Sequence, residues 1–355
     1  MSDKPHYQQG ASMSHPIRVC LVGAGRVAKV HAKSLVKYVP EAQLVAVVDP
    51  NQDVLHSTAD EYGIEARFLS LEQALEKADF EAVVITTPTF THAQLAITAA
   101  EAGKHVLLEK PMALNIKECD EIALAAHKNQ IILQLAFMRR FDSDFTTAAE
   151  RISAGEIGQP MLIKSLTHGP GLPPAWATDL KTSNGNLAEV NSHDWDCVRW
   201  LMGSDYRRVY VEVANFKGAD RGVKTENYYD NALVNIKFES GGLGSISSIC
   251  PCDYGYDARV EIVGDKGIMQ IGELKGQSIL VCTNRDQGLI TPIYRTWPQR
   301  FEWAYIREME HFIQCIQSDI APKVGADDGR WAVAGVLAAT KSLLEERPVN
   351  LNEVL

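Results

Sequence analysis

An ammonium, an imidazole and two nearby carboxylates are the residues of this chain best placed to do chemistry. In Val106-Leu-Leu-Glu-Lys-Pro111 an apolar run ends in Glu109 and Lys110, with a proline directly behind. Such a run reads as a buried strand delivering an ammonium to the carboxyl edge of a sheet, where open α/β folds bind ligands. Pro111 locks the backbone there, so the lysine is held in place. Downstream, a helix predicted over Leu187–Leu201 puts Glu189 and His193 at i and i+4, on one face and within hydrogen-bonding reach. A carboxylate beside an imidazole fixes its tautomer and raises its basicity, which suits a general base working near neutral pH. Asp196, on the same side, is a further candidate partner. A structural histidine, a solvated helix pair and metal ligation are the competing readings. No fourth ligand is placed nearby, so no metal is expected.

A second group of residues has the spacing of a dinucleotide site. The apolar run Ile17–Val22 leads into Gly23-Ala-Gly-Arg-Val-Ala28, and a helical pattern follows. Gly23 permits the tight turn, Gly25 lets backbone approach a pyrophosphate, and Ala28 allows close helix–strand packing. Ala24, Arg26 and Val27 complete the turn, and the helix start offers unpaired N–H groups to the phosphates. Asp49 closes the next strand, where an acid holds adenine-ribose hydroxyls and repels a 2′-phosphate, favouring NAD over NADP. The competing reading of Asp49 is a loop cap ahead of Pro50. In Thr86-Thr-Pro-Thr-Phe-Thr-His92, the residues Thr87, Pro88, Thr89 and His92 enter a helix and suit the coenzyme's middle or nicotinamide ribose. Simple N-capping by Thr89 or Thr91 is the alternative. Glu109 and Lys110 complete the expected coenzyme contacts.

Positioning these groups requires a doubly wound sheet. Ile17–Val22, Leu44–Val48, Ala82–Thr86, His105–Leu108 and Ile131–Phe137 read as buried parallel strands. Between them, Val27–Tyr38, Gln52–Tyr62, Leu71–Lys77, Ala93–Ala102 and Ile116–Lys128 read as helices. The predicted class is α/β: a Rossmann domain over residues 16–140 behind a disordered leader at 1–15. Residues 141–325 read as an α+β domain with a mostly antiparallel, open-faced sheet. Its strands fall near Met161–His168, Arg208–Phe216, Ala232–Glu239, Leu243–Ile249 and Arg259–Val263. Helices over Trp303–Ser318 and Arg330–Leu344 close the chain, residues 326–355 being expected to pack back on the first domain.

The composition narrows the partners. The chain has 355 residues, 46% of them hydrophobic, enough for two packed cores. Its net charge of −10 argues against a nucleic-acid partner, which needs a positive footprint. No apolar run reaches membrane-spanning length, and the polar start lacks the layout of a secretory signal. Seven scattered cysteines point to reduced thiols and a cytoplasmic location. An open sheet face needs cover, so a homodimer or homotetramer through that sheet is expected.

Taken together, Gly23-Ala-Gly-Arg-Val-Ala28 with His31, Thr87-Pro-Thr-Phe-Thr-His92, Glu109-Lys-Pro111, Phe137-Met-Arg-Arg-Phe-Asp142 and the Glu189/His193/Asp196 segment resemble the Gfo/Idh/MocA family. These are the glucose–fructose oxidoreductases and inositol dehydrogenases, and Phe137–Asp142 is most like the inositol branch. The resemblance runs from residue 17 to about 347, through Asp328-Gly-Arg and Arg347-Pro-Val. It implies NAD-dependent oxidation of a secondary alcohol on a sugar or cyclitol, with Lys110 at the substrate hydroxyl and His193 taking or relaying the proton. Met138, Arg139, His168, Trp176, Asn191, Tyr254 and Tyr256 are the expected pocket residues, although for the aromatics a core role is equally open. The family usually carries aspartate where this chain has Glu189; the longer arm either still pairs with His193 or reaches the substrate. An enzyme that oxidises transiently and recycles its NAD, and a sugar-sensing binder without turnover, are the alternative functions.

Overall fold

The structure is a computed structural model that describes residues 15–218, 223, 228–274, 276 and 292–355. Apart from His15, the expected leader lies outside the described residues. The first half alternates β1 (Ile17–Val22), α1 (Arg26–Tyr38), β2 (Ala42–Val48), α2 (Gln52–Tyr62), β3 (Ala66–Phe68) and α3 (Leu71–Lys77). It continues with β4 (Ala82–Ile85), α4 (His92–Glu101), β5 (His105–Glu109), α5 (Ile116–Lys128) and β6 (Leu133–Ala136). The six strands lie in the order β3-β2-β1-β4-β5-β6, every pair parallel. The order reverses between β1 and β4, and there the carboxyl ends leave a crevice. Except at Arg18 and His105, near the starts of β1 and β5, the central strands are buried on both faces, as a parallel sheet covered by helices requires. Asn51 and Asn115 cap α2 and α5 with their side chains, and Gly63 ends α2 in the left-handed region. β3, only three residues long, is too short to leave a periodic signal and was not expected.

The second half contains α6 (Ser143–Ser153), β7 (Pro160–His168), α7 (Ala175–Thr178), α8 (Leu180–Ser183), α9 (Asn186–Glu189), α10 (Ser192–Met202) and β8 (Tyr206–Ala214). Next come β9 (Asn231–Phe238), β10 (Leu243–Ile249), β11 (Asp257–Gly264), β12 (Ile268–Ile271), α11 (Trp297–Ser318), α12 (Ala326–Glu345) and β13 (Val349–Asn350). The seven strands order as β12-β11-β7-β10-β9-β8-β13. The sheet is mixed: β7 and β10 run parallel and the other pairs antiparallel. The chain can bring β7 and β10 together in parallel because α7 to α10 and two strands intervene, a crossover long enough for the return.

α10 packs on β7 and β10, and α12 packs on β8; among the described residues the other face is left open at Leu233 and Leu243. α12 also touches α5 and β6 and so ties the two sheets together, while α11 lies against α1 and the Met138–Phe141 turn. The single helix expected over Leu187–Leu201 is a correction: α9 and α10 are separate. The ladder lapses at Asn191, whose N–H reaches back five residues to the Asn186 carbonyl. Its side chain instead donates to Asp194 (2.7 Å), while the Ser192 hydroxyl bonds the Ala188 carbonyl.

Candidate active site

The crevice between β1 and β4 begins at Gly23, whose φ is +91°. A Cβ there would stand 3.0 Å from the Thr86 carbonyl carbon and the Thr87 nitrogen, so only glycine fits the turn. Gly25 is the opposite case: it is exposed, and a Cβ would meet nothing within 4 Å. The space above it is open at the start of α1, which carries no side-chain cap and no acid in its first turn. Uncapped N–H groups at the positive end of a helix dipole fit a pyrophosphate. Asp49 Oδ2 accepts from the Ala24 N–H (2.9 Å) and Oδ1 from the Asn51 N–H (2.8 Å). Both oxygens keep a lone pair, so the carboxylate braces the turn and is still able to accept from ribose hydroxyls. The cradle fits a dinucleotide.

Two neighbouring loops are pinned behind it. His92, fully buried, places one ring nitrogen 2.7 Å from the Pro111 carbonyl and the other 2.9 Å from the Thr87 carbonyl. It fixes the spacing of the two loops. Glu109 is likewise inward: Oε1 meets His31 Nε2 (2.8 Å) and Oε2 accepts from the Lys110 N–H (3.1 Å). This buried pair sets the end of β5 and hence the root of Lys110.

Lys110 crosses to the second half and donates from Nζ to the Glu189 carbonyl at 2.8 Å. Glu189, half-buried, does not pair with His193. Its Oε1 accepts from Thr89 Oγ1 at 2.6 Å, across the crevice. The break between α9 and α10 explains this, because it removes the one-face geometry that a continuous helix imposes. Burial is the main cause lifting the Glu189 carboxyl to about 7, with Lys110 and Thr89 opposing it and Glu109 adding to it. His193 is 7% exposed. Among the described residues its buried Nδ1 has no partner. Burial, then the Lys110 and Arg139 cations, hold it well below its ordinary value, so the ring is neutral at pH 7.

Asp196 is not a partner of His193 either. It takes two bonds from Arg140, 2.9 and 2.6 Å long. Asp194, which the sequence reading passed over, is the hub of this region. It accepts from Arg139 Nη1 (2.8 Å), Ser165 Oγ (2.5 Å), Thr167 Oγ1 (2.6 Å) and Asn191 Nδ2 (2.7 Å). Arg139 and Arg140 thus grip the two aspartates just beyond His193 and fix its helix. The consecutive arginines and alternate aspartates are visible in the sequence, but nothing in it pairs segments this far apart.

The expected pocket residues divide. Met138, Arg139 and Asn191 have almost no exposed surface and support the site from behind, while Tyr256 is as accessible as His193. His168 and Tyr254 bond each other. By the alternation of β7, His168 shares the open sheet face with Lys164 and Leu166 while Ser165 and Thr167 face α10. Trp176, half-buried, meets exposed Phe90 edge-on at 6.4 Å and walls the crevice beside the Thr89–Glu189 bond. Among the described residues no cluster of three or more His, Cys, Asp or Glu side chains is placed to hold a metal. No helix there is long and apolar enough to cross a membrane.

Two family models match the chain. The one described as oxidoreductase family, NAD-binding Rossmann fold, covers residues 17–137. The one described as oxidoreductase family, C-terminal alpha/beta domain, covers residues 149–351. The chain is similar to scyllo-inositol 2-dehydrogenase (NAD(+)) of Bacillus subtilis, 35% identical over 346 residues, 96% of this chain and 98% of that protein. It is also similar to myo-inositol 2-dehydrogenase of Thermotoga maritima, 30% identical over 96% of this chain and all of that protein. Among solved structures, scyllo-inositol dehydrogenase from Lactobacillus casei with bound NAD(H) and scyllo-inositol matches with a TM-score of 0.87. It is 26% identical over 95% of this chain and 99% of that one.

Proposed function

Because the chain belongs to the Gfo/Idh/MocA oxidoreductase family, we propose that it is an NAD-dependent cyclitol dehydrogenase that oxidises one ring hydroxyl of an inositol to a ketone. It is an NAD-dependent oxidoreductase acting on CH–OH groups, and its relatives named above act on scyllo- and myo-inositol. The observation that carries the finer reading is the bond from Lys110 Nζ to the Glu189 carbonyl. It brings an ammonium from β5 and the Glu189–His193 segment from the other half to one spot beside the coenzyme cradle.

NAD, when bound, supplies the hydride acceptor. The chain's own residues do the rest. Gly23 to Val27 and the start of α1 hold the phosphates, Asp49 the adenine ribose, and Thr87 to Thr89 flank the inner ribose. Lys110 stabilises the developing alkoxide, and neutral His193 assists proton transfer from the hydroxyl. Trp176 and Phe90 exclude water at the crevice mouth. Oligomerisation through the open sheet face and a cytoplasmic location complete the proposal.

The test is absorbance at the reduced-nicotinamide band across a panel of inositols and pyranoses. Net NADH with at least one cyclitol supports the reading. Product without net NADH indicates recycled coenzyme, and a ligand-induced melting shift without product indicates a sensor; either outcome sinks it.

A further inference from the structure

We infer that Trp176 is the wall against which the substrate ring lies flat, and that it selects a cyclitol whose hydroxyls are all equatorial. The inference rests on the dehydrogenase reading above and names which ring that site takes.

Trp176 stands beside the point where Lys110 and Glu189 meet. It lies on α7, in the second half, and its ring meets Phe90 edge-on, with 6.4 Å between centroids and 76° between planes. Phe90 follows Thr89, whose hydroxyl donates to the Glu189 carboxylate at 2.6 Å, and the Glu189 carbonyl accepts from Lys110 Nζ at 2.8 Å. The segment carrying the indole is fastened at both ends. Thr182 Oγ1 donates to the Trp176 carbonyl at 2.6 Å, and the Asp179 side chain caps α8 by accepting from the Lys181 N–H at 2.9 Å. Asn184 Nδ2 donates to the Leu114 carbonyl at 2.9 Å, in the loop that begins at Lys110. α8 also rests on the Thr89–Thr91 turn. The α7–α8 segment therefore roofs the crevice, tied to the loops that carry Thr89 and Lys110. Trp176 is half-buried and Phe90 is 51% exposed, so the indole keeps free surface while Phe90 sets its angle.

A flat aromatic wall tests ring shape. In a six-membered ring with every hydroxyl equatorial, the C–H bonds stand axial, three to a face. Each face is an apolar disc of partly positive hydrogens, and the polar atoms lie at the rim. Such a disc packs well on the electron-rich face of an indole. An axial hydroxyl spoils it by pressing an oxygen against a surface that offers no hydrogen bond.

The reacting carbon decides which face meets the wall. Oxidation of an equatorial alcohol sends an axial hydrogen, as hydride, toward the coenzyme and leaves the opposite face to the indole. In myo-inositol the one axial hydroxyl then points at either the coenzyme or the indole. Oxidation of the axial alcohol itself uses a hydrogen near the ring plane, which turns the ring edge-on to the coenzyme and takes its face off the wall. scyllo-Inositol meets none of these conflicts.

The experiment compares kcat/KM for scyllo-inositol and myo-inositol in the full chain with NAD, for wild type, Trp176→Phe and Trp176→Leu. Wild type is expected to prefer scyllo-inositol. Trp176→Leu keeps an apolar side chain but loses the flat ring, and is expected to narrow the preference by about three- to tenfold. The loss should fall on the KM for scyllo-inositol, because a wall holds ground state and transition state alike. Trp176→Phe is expected to restore most of the preference. Wild-type preference for myo-inositol overturns the inference, as does an equal loss on both substrates in Trp176→Leu. A second measurement needs no turnover. With NADH present, scyllo-inositol is expected to shift the tryptophan emission of wild type more than myo-inositol does, and not to shift that of Trp176→Phe. If no cyclitol yields NADH, the dehydrogenase reading fails and this titration alone decides the wall; an equal shift in Trp176→Phe overturns it.

Discussion

Lys110 reaches the crevice from the end of β5 and His193 from the first turn of α10, and neither side chain contributes to the coenzyme cradle at Gly23–Val27. Lys110→Ala and His193→Ala are therefore expected each to lower kcat by about 10²–10⁴-fold. NAD affinity, measured by fluorescence titration, should change less than about threefold. Full turnover in either variant removes that residue from the mechanism. A different buried group governs stability. Glu308 is fully buried on α11, and among the described residues both its carboxyl oxygens lack a partner. Burial first, then Glu109, push it well above the usual carboxylate range. The folded chain thus holds a proton that the unfolded chain releases. The stability tied to that proton is complete below the unfolded value of 4.5 and declines as pH rises toward the folded one. The slope is at most about 1.4 kcal/mol per pH unit. Glu308→Gln keeps the shape and removes the titration, so denaturant unfolding from pH 5 to 8 should show the variant gaining on wild type as pH rises. Parallel curves would show that Glu308 is not protonated in the fold.

At the scale of elements, the turn from β1 into α1 separates fold from binding. Gly23 has a φ of +91° and backbone atoms 3.0 Å from any added Cβ, whereas Gly25 opens on empty space. Gly23→Ala should cost on the order of 1–3 kcal/mol and lower Tm, because strain and contact both fall on the folded state. Gly25→Ala should leave Tm nearly unchanged and weaken NAD binding by about tenfold or more, because the new methyl enters the space assigned to the pyrophosphate. Calorimetry of the two variants with and without NAD distinguishes them, and unaltered affinity in Gly25→Ala would move the coenzyme elsewhere. The gap between α9 and α10 has a similar local cause. Asn191 spends its side chain on Asp194, so Glu189 and His193 lie on two helices and turn to different partners.

The whole molecule is held together by charge pairs and helices that ignore the boundary between its sheets. Arg139 and Arg140 bind Asp194 and Asp196 across it, and Arg140 also meets Asp328 at the start of α12 (2.7 Å). Among the described residues the opposite face of the second sheet has no such cover: Leu233 on β9 and Leu243 on β10 are 50% and 52% exposed. A second copy of the chain is the proposed cover. Leu233→Lys with Leu243→Lys should dissociate the assembly to monomers in light scattering while Tm falls only slightly, since neither side chain is in the core. A wild-type protein that is already monomeric would refute the interface.

Five strands of the first sheet, their parallel direction and the coenzyme turn were legible in the chain because each depends on local pattern. Apolar runs of strand length, glycines at fixed offsets and an acid closing the second strand act over a few residues. The family motifs carried the reaction class for the same reason. Partnership was not legible. Periodicity placed Glu189 beside His193, but Thr89 claimed its carboxyl from another element. Arg139 looked like a binding residue until Asp194 and the Thr167 hydroxyl took up its donors. His168 fell on the open face because strand register, set by neighbours far along the chain, decides which way each side chain points. A buried polar group takes whichever partner packing brings within about 3 Å, and packing is settled only when both sheets and the helices between them are assembled.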